Sequence, residues 1–259
     1  MDCNKVPEDI LECAKEVSLN LLPQKSREIY ESAYQRFVEW CKEKAVQIYF
    51  EDVLMVYFAN LAKKVKPSTL SSQYSMLRST LDINNGVNIS KYSKLRAFLK
   101  RQNEGYTPKK APVFKKEQVD RFLHTAPDNL YLMMKVVLIL GIAGACRSDE
   151  LVNVKMDNIK DVKSALIIAI RNTKTKRPRS FTVLGEDYLS LFRKYVSLRP
   201  AGLEESRLFI RYVNGKCHRM VVDIHTISAV PQEIAKFLKL NNSKDYVTHI
   251  ASDICNPSC

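Results

Sequence analysis

Arg147 stands where an apolar run stops. From Leu130 to Ala145 the chain is almost wholly hydrophobic, and Cys146 and Arg147 then lead into Ser148, Asp149 and Glu150 before Leu151 and Val152 resume the apolar pattern. A guanidinium set against such a run has five donors to satisfy beside a partly dry surface. Two readings fit. One is a structural Arg147–Glu150 pair at helical i,i+3 spacing. The other is a guanidinium held in place to grip a phosphate through two parallel hydrogen bonds. A second concentration of charge follows at 171–179, where Arg171, Lys174, Lys176, Arg177 and Arg179 occur with no acidic residue among them. A lysine on a hairpin tip can reach into a groove and can donate a proton to a leaving oxygen. Both features point to phosphodiester binding or chemistry, provided the fold brings them together.

The elements that would position them follow from periodicity. Pro7, Glu8 and Asp9 suit the first turn of a leading helix over 7–20. Gln24–Lys44 is strongly amphipathic, with Ile29, Ala33, Phe37 and Cys41 at i+4. Asp52–Lys64 predicts a further helix. Another starts at Pro67, carries Leu70, Tyr74, Leu77 and Leu81, and stops at Asn84-Asn85-Gly86. Lys91–Arg101 completes an all-helical bundle. Residues 104–113, with Gly105, Pro108 and Pro112 among polar groups, predict a linker. The second half predicts helices over Lys116–His124 and Asp128–Ile142, a buried strand over 165–170 and a second strand over Ser180–Leu184. Beyond these come a helix over Glu186–Leu198, a short strand or extended segment at Leu208-Phe209-Ile210, and a helix over Asp223–Leu240 interrupted or restarted at Pro231. The expected fold is mainly α with a small antiparallel sheet. Its domains are a leader at 1–23, a helical domain at 24–103, the linker, and an α+β domain at 114–259.

Composition narrows the partner. At 46% hydrophobic and 27% charged, 259 residues sustain a core. The net charge of +13, from 41 Lys+Arg against 28 Asp+Glu, favours a polyanion. That excess concentrates near the linker: Lys91, Lys94, Arg96, Lys100, Arg101, Lys109, Lys110, Lys115, Lys116 and Arg121 face only Glu104, Glu117 and Asp120. Either this is a solvated belt, or it lies along duplex DNA. Seven scattered cysteines with no CxxC pair argue for a reducing compartment rather than a disulfide framework. Cys217-His218 with His225 is too sparse for zinc. No nucleotide-binding glycine loop, signal peptide or membrane span is apparent, so no membrane partner is expected.

Taken together, the chain resembles the tyrosine recombinase (phage integrase-like) superfamily, nearest to its eukaryotic Crypton-type branch. Arg147-Ser148-Asp149-Glu150-Leu151 matches the Arg-x-x-Glu-Leu motif. Asn172-Thr173-Lys174-Thr175 matches the lysine turn, and Tyr246-Val247-Thr248-His249 leads into the His-x-x-Arg motif. The resemblance implies a SAM-like core-binding domain at 24–103, a catalytic domain after the linker, and a C-shaped clamp around double-stranded DNA in the nucleus. It further implies Arg147, Lys174 and His249 as catalytic residues with Glu150 in support, and Lys176 as the alternative to Lys174. The reaction would be tyrosine attack on a phosphate, with no cofactor and no metal. Lys100, Arg101, Lys109, Lys110, Arg171, Lys176, Arg177 and Arg179 are the expected DNA-contacting residues, with homo-oligomers possible on DNA.

The resemblance breaks after His249. Ser252 stands where the second arginine belongs, and only seven residues follow it. Tyr246 precedes His249, the wrong order for the nucleophile, and is expected to pack. The chain is therefore expected to be a truncated catalytic domain that binds DNA and is inactive. Alternatives are a piece of an active recombinase, or a helical protein-interaction module with incidental charge.

Overall fold

The computed structural model describes residues 7–19, 21–171, 173 and 177–246. The chain forms two compact units, Met1–Lys109 and Lys110–Cys259. The first contains α1 (Glu8–Leu19), α2 (Arg27–Glu43), α3 (Glu51–Ala62), α4 (Pro67–Asn85) and α5 (Ser93–Gln102). The apolar stripes foreseen in the sequence meet in one core of Phe37, Leu54, Phe58, Leu70, Leu77, Leu81, Ile89 and Leu95. Aromatic edges close it, with Tyr57 perpendicular to Phe37 at 5.0 Å and to Trp40 at 5.2 Å.

Helix ends in this unit follow local chemistry. Pro67 opens α4 at a position where its missing N–H costs nothing. Gly86 closes it in the left-handed region (φ 64°), with Gly86 N–H donating to Asp82 and Val87 N–H to Leu81. Glu51 Oε1 accepts from the backbone N–H groups of Lys94 (2.6 Å) and Leu95 (3.0 Å), placing a carboxylate on the positive end of α5. Two helices start later than periodicity suggests. Residues Gln24–Ser26 and Ile89–Lys91 form tight 3-10 turns. Asn88 ties the second turn by accepting from Ser90 N–H, which delays α5 to Ser93.

The second unit contains α6 (Lys116–Thr125), α7 (Asp128–Gly144), α8 (Ser148–Val152), β1 (Ile159–Asp161), β2 (Ala165–Ile170), β3 (Arg179–Leu184), α9 (Glu186–Ser197), β4 (Ile210–Val213), β5 (Lys216–Val221) and α10 (Ile224–Phe237). β1, β2 and β3 form an antiparallel sheet in that order, with Ile168 opposite both Ile159 and Phe181. Around α7 packs a core that includes Phe122, Leu132, Val136, Leu140, Leu166, Ile168, Phe192, Tyr195, Phe209 and Ile234. The mainly helical fold with a small antiparallel sheet is as the sequence indicates.

Four local expectations change. The uniformly apolar β2 is buried mainly on one face: Leu166, Ile168 and Ile170 point inward while Ile167 is exposed. β1 is an unforeseen edge strand, too short for any period to show. The short strand or extended segment expected at 208–210 runs on into an unforeseen β4–β5 hairpin, turned by Asn214 (φ 49°) and Gly215 (φ 79°), which form the usual two-residue turn pair. Finally, α10 runs unbroken through Pro231. A mid-helix proline costs about 3 kcal/mol. Burial of Ile227, Val230 and Ile234 returns about 1.5–3 kcal/mol each, and outweighs it. Among the described residues, no helix is long and apolar enough to cross a membrane.

Candidate functional site

The site is built at the end of α7. The helix closes through Gly144 and Ala145. Ala145 lies in the left-handed region (φ 43°), Ala145 N–H donates to Ile142, and Cys146 N–H donates to Gly141 at 3.1 Å. Gly144 is required by packing: a Cβ there would lie 2.5 Å from the Phe181 ring and 2.7 Å from Cys146 Sγ. The close approach presses β3 onto the helix end. Cys146 is enclosed in the same corner, and burial pushes its thiol up to about 11, which leaves it an inert packing group.

Arg147 then turns the chain into α8. Its backbone N–H donates to Glu150 Oε2 at 2.9 Å, so the glutamate three residues on caps the helix it belongs to. The Glu150 side chain is 1% exposed and receives two guanidinium groups. Arg147 Nη1 reaches Oε1 at 3.3 Å, and Arg179 Nη2 reaches Oε2 at 2.8 Å. Arg179 also donates through Nη1 to the Gly144 carbonyl oxygen and through Nη2 to Cys146 Sγ. Burial alone would raise the Glu150 carboxyl. The Arg147 N–H and the Arg179 guanidinium overcome it and hold the group below its ordinary value. Glu150 is therefore ionised, and both readings of the Arg147–Glu150 spacing hold together. The pair is structural, yet the Arg147 side chain remains 47% exposed.

Arg147, Arg177 and Arg179 share one open depression with Ala145, Glu150, Thr173 and Pro178. The Thr173 hydroxyl accepts from Arg177 N–H at 3.0 Å and donates to Arg177 O at 2.8 Å, tying the two ends of the hairpin tip together. Arg171 lines a separate depression with Glu150, Asn153, Lys155 and Asn158. Lys174, Lys176 and His249 lie outside the described residues. Lys100 and Arg101 are exposed at the end of α5 in the first unit, and Lys109 and Lys110 are exposed at the division between units. Tyr246 is stacked on Phe114 at 4.8 Å and packs against the second unit's core. Among the described residues, no cluster of His, Cys, Asp and Glu could hold a metal ion.

The role of Arg179 is what sequence reasoning missed. It lay within a run of basic residues and was expected to face DNA, whereas its guanidinium is turned onto Glu150. Strand alternation is the signal: Arg179, Phe181 and Val183 share one face of β3, and Phe181 is the ring against Gly144.

No protein-family model matches the chain, and neither does any curated protein. Solved structures do. The chain is similar to the XerH site-specific recombinase in a post-cleavage complex with palindromic difH substrate (TM-score 0.58, 12% identity, 81% of this chain and 61% of that one). It is similar to a lambda integrase dimer bound to a COC′ core site (TM-score 0.56, 11% identity, 90% of this chain and 81% of that one). A third is the Tn1549 transposon integrase in complex with circular intermediate DNA (TM-score 0.53, 12% identity, 90% of this chain and 88% of that one). At these identities the likeness is one of fold, and the fold of this chain is that of the tyrosine recombinases and integrases.

Proposed function

We propose that this chain binds double-stranded DNA through the depression at the end of α7, with Arg147 gripping a backbone phosphate, as a protein of DNA recombination or integration. One observation carries the reading. A buried, ionised Glu150 anchors Arg147 by its backbone and lightly by its side chain, and leaves the guanidinium half-exposed beside Arg177 in an open, basic depression. A fixed guanidinium in such a place suits an anion with oxygens to share. The net charge of +13 supports a polyanionic partner. The fold supports it further, since solved structures of the same fold are DNA complexes.

Lys174 and His249 enter this reading from the motif resemblance alone, as do the Crypton-type affinity, the SAM-like label for 24–103 and a nuclear location. Assembly of several copies on DNA is supported by the lambda integrase structures, a dimer on a core site and a tetramer on a Holliday junction. This 259-residue chain is proposed to bind without cleaving, because Ser252 stands where the second arginine would stabilise the charge that builds on the phosphate in attack.

Binding to duplex DNA over a range of salt tests the proposal. Affinity should fall with a log–log slope of about −0.9 for each phosphate engaged. A flat dependence overturns it. A covalent protein–DNA adduct trapped on a nicked duplex would overturn the proposed inactivity while leaving the binding intact.

A further inference from the structure

We infer that Arg179 is a positioning residue: by occupying Glu150, it keeps the guanidinium of Arg147 loosely held and free to take a DNA phosphate. The inference rests on the DNA-binding reading above.

The two arginines spend their donors differently. Arg179 commits Nη2 to Glu150 Oε2 and Cys146 Sγ, and Nη1 to the carbonyl of Gly144. Its position on β3 fixes this, because Phe181 on the same strand face is seated against Gly144. Arg147 spends one side-chain donor, at 3.3 Å, on Oε1. Among the described residues, its other side-chain donors meet no partner. Arg179 is thus built into the protein, and Arg147 is presented by it.

Glu150 is the shared resource. Oε2 already takes the Arg147 N–H and Arg179, which leaves Oε1 for a single long bond. Remove Arg179, and the cation still bonded to the buried carboxylate is Arg147. The strongest arrangement open to it is a short, bidentate pair with Arg147. That pair draws the Arg147 guanidinium onto Glu150 and out of the depression. Arg179 prevents this by competition, so an arginine that touches no DNA sets how well its neighbour does.

The test is duplex DNA binding across salt for the wild type, Arg147→Ala, Arg179→Ala, the double variant Arg147→Ala/Arg179→Ala, Arg179→Lys and Arg179→Ala/Glu150→Gln, each checked for a folded melting transition. Arg147→Ala should reduce the slope by about 0.9, the loss of one phosphate. Arg179→Ala should do the same, and the double variant should lose no more than either alone. Arg179→Lys, which still places a cation on Glu150, should recover most of the slope. Neutralising the carboxylate in Arg179→Ala/Glu150→Gln should also recover it, because nothing then competes for Arg147; a merely structural role for Arg179 predicts a further loss instead. If Arg179→Ala does not fold, Arg179→Lys against Arg179→Gln gives the same contrast. A slope that falls by two contacts in the double variant means that Arg179 holds its own phosphate, and overturns the inference. So does a folded Arg179→Ala with wild-type slope. A flat wild-type dependence overturns the DNA-binding reading itself, and the inference with it.

Discussion

Two carboxylates in the second unit each hold two cations, and they hold them in opposite ways. At the start of α7, Asp128 accepts from Lys135 Nζ at 2.7 Å and from Lys194 Nζ at 2.5 Å. Here the cation is the buried partner, with the Lys135 side chain 3% exposed and Asp128 27%. Beyond the other end of that helix, in α8, Glu150 is buried and its arginines reach outward. The first cluster brings a charge into the core and satisfies it there. The second sinks its carboxylate and presents the guanidinium. Both carboxyls are pushed up by burial and pulled down further by their cations, so both stay ionised. The difference lies in which partner is dry. In the first pair the anion serves to satisfy a buried cation, whereas a buried anion can support an exposed cation that has work elsewhere.

Breaking the first cluster should have the largest effect on stability. Asp128→Ala leaves Lys135 buried and unpaired, and should cost about 3–5 kcal/mol in urea unfolding. Lys135→Met, which removes the buried charge and leaves Asp128 with Lys194, should stay within about 1 kcal/mol of wild type. If both variants are equally damaging, the assignment of Lys135 as the dry partner is wrong.

Glu150→Gln should be milder, about 1–2 kcal/mol, because the arginines it abandons are partly solvated. It also carries a pH signature. A carboxyl whose folded value lies below its unfolded one contributes stability that is complete above the unfolded value and is lost as pH falls through the folded one. Wild type should therefore lose melting temperature on acidification below the ordinary carboxylate range, and Glu150→Gln should lose less over the same window. Identical acid limbs would mean that Glu150 is not held ionised. The smallest effect concerns the turn that closes α7. Ala145→Gly should stabilise by about 0.5–1 kcal/mol, by relieving a left-handed alanine. A loss of stability would show that the turn is not strained.

The sequence made the helical elements legible wherever an apolar stripe repeats, as at Phe37 and Cys41 or through α7. It also made legible the Arg147–Glu150 pair, since i,i+3 spacing brings the two together on any helix. The reach of Lys194 to Asp128 and the turn of Arg179 onto Glu150 were not legible, because the partners lie 66 and 29 positions apart. Arg179 sat in a run of basic residues and was read with its neighbours. Alternation alone does not separate it from Arg177, two residues earlier; what does is that β3 begins at Arg179, while Thr173 ties Arg177 into the hairpin tip. The β4–β5 hairpin is a different case: Asn214-Gly215 is a strong local turn signal and was there to be seen. Pro231 misled because the local cost of a helical proline is plain in sequence, while the burial that offsets it is not.

The central claim is that the guanidinium presented by Glu150 engages a DNA phosphate, and comparing wild type with Arg147→Ala tests it most directly. Thermal melting should be nearly unchanged, since Arg147 gives the fold one long side-chain bond. The log–log salt slope of duplex binding should fall by about 0.9. Equal slopes for the two proteins would contradict the account.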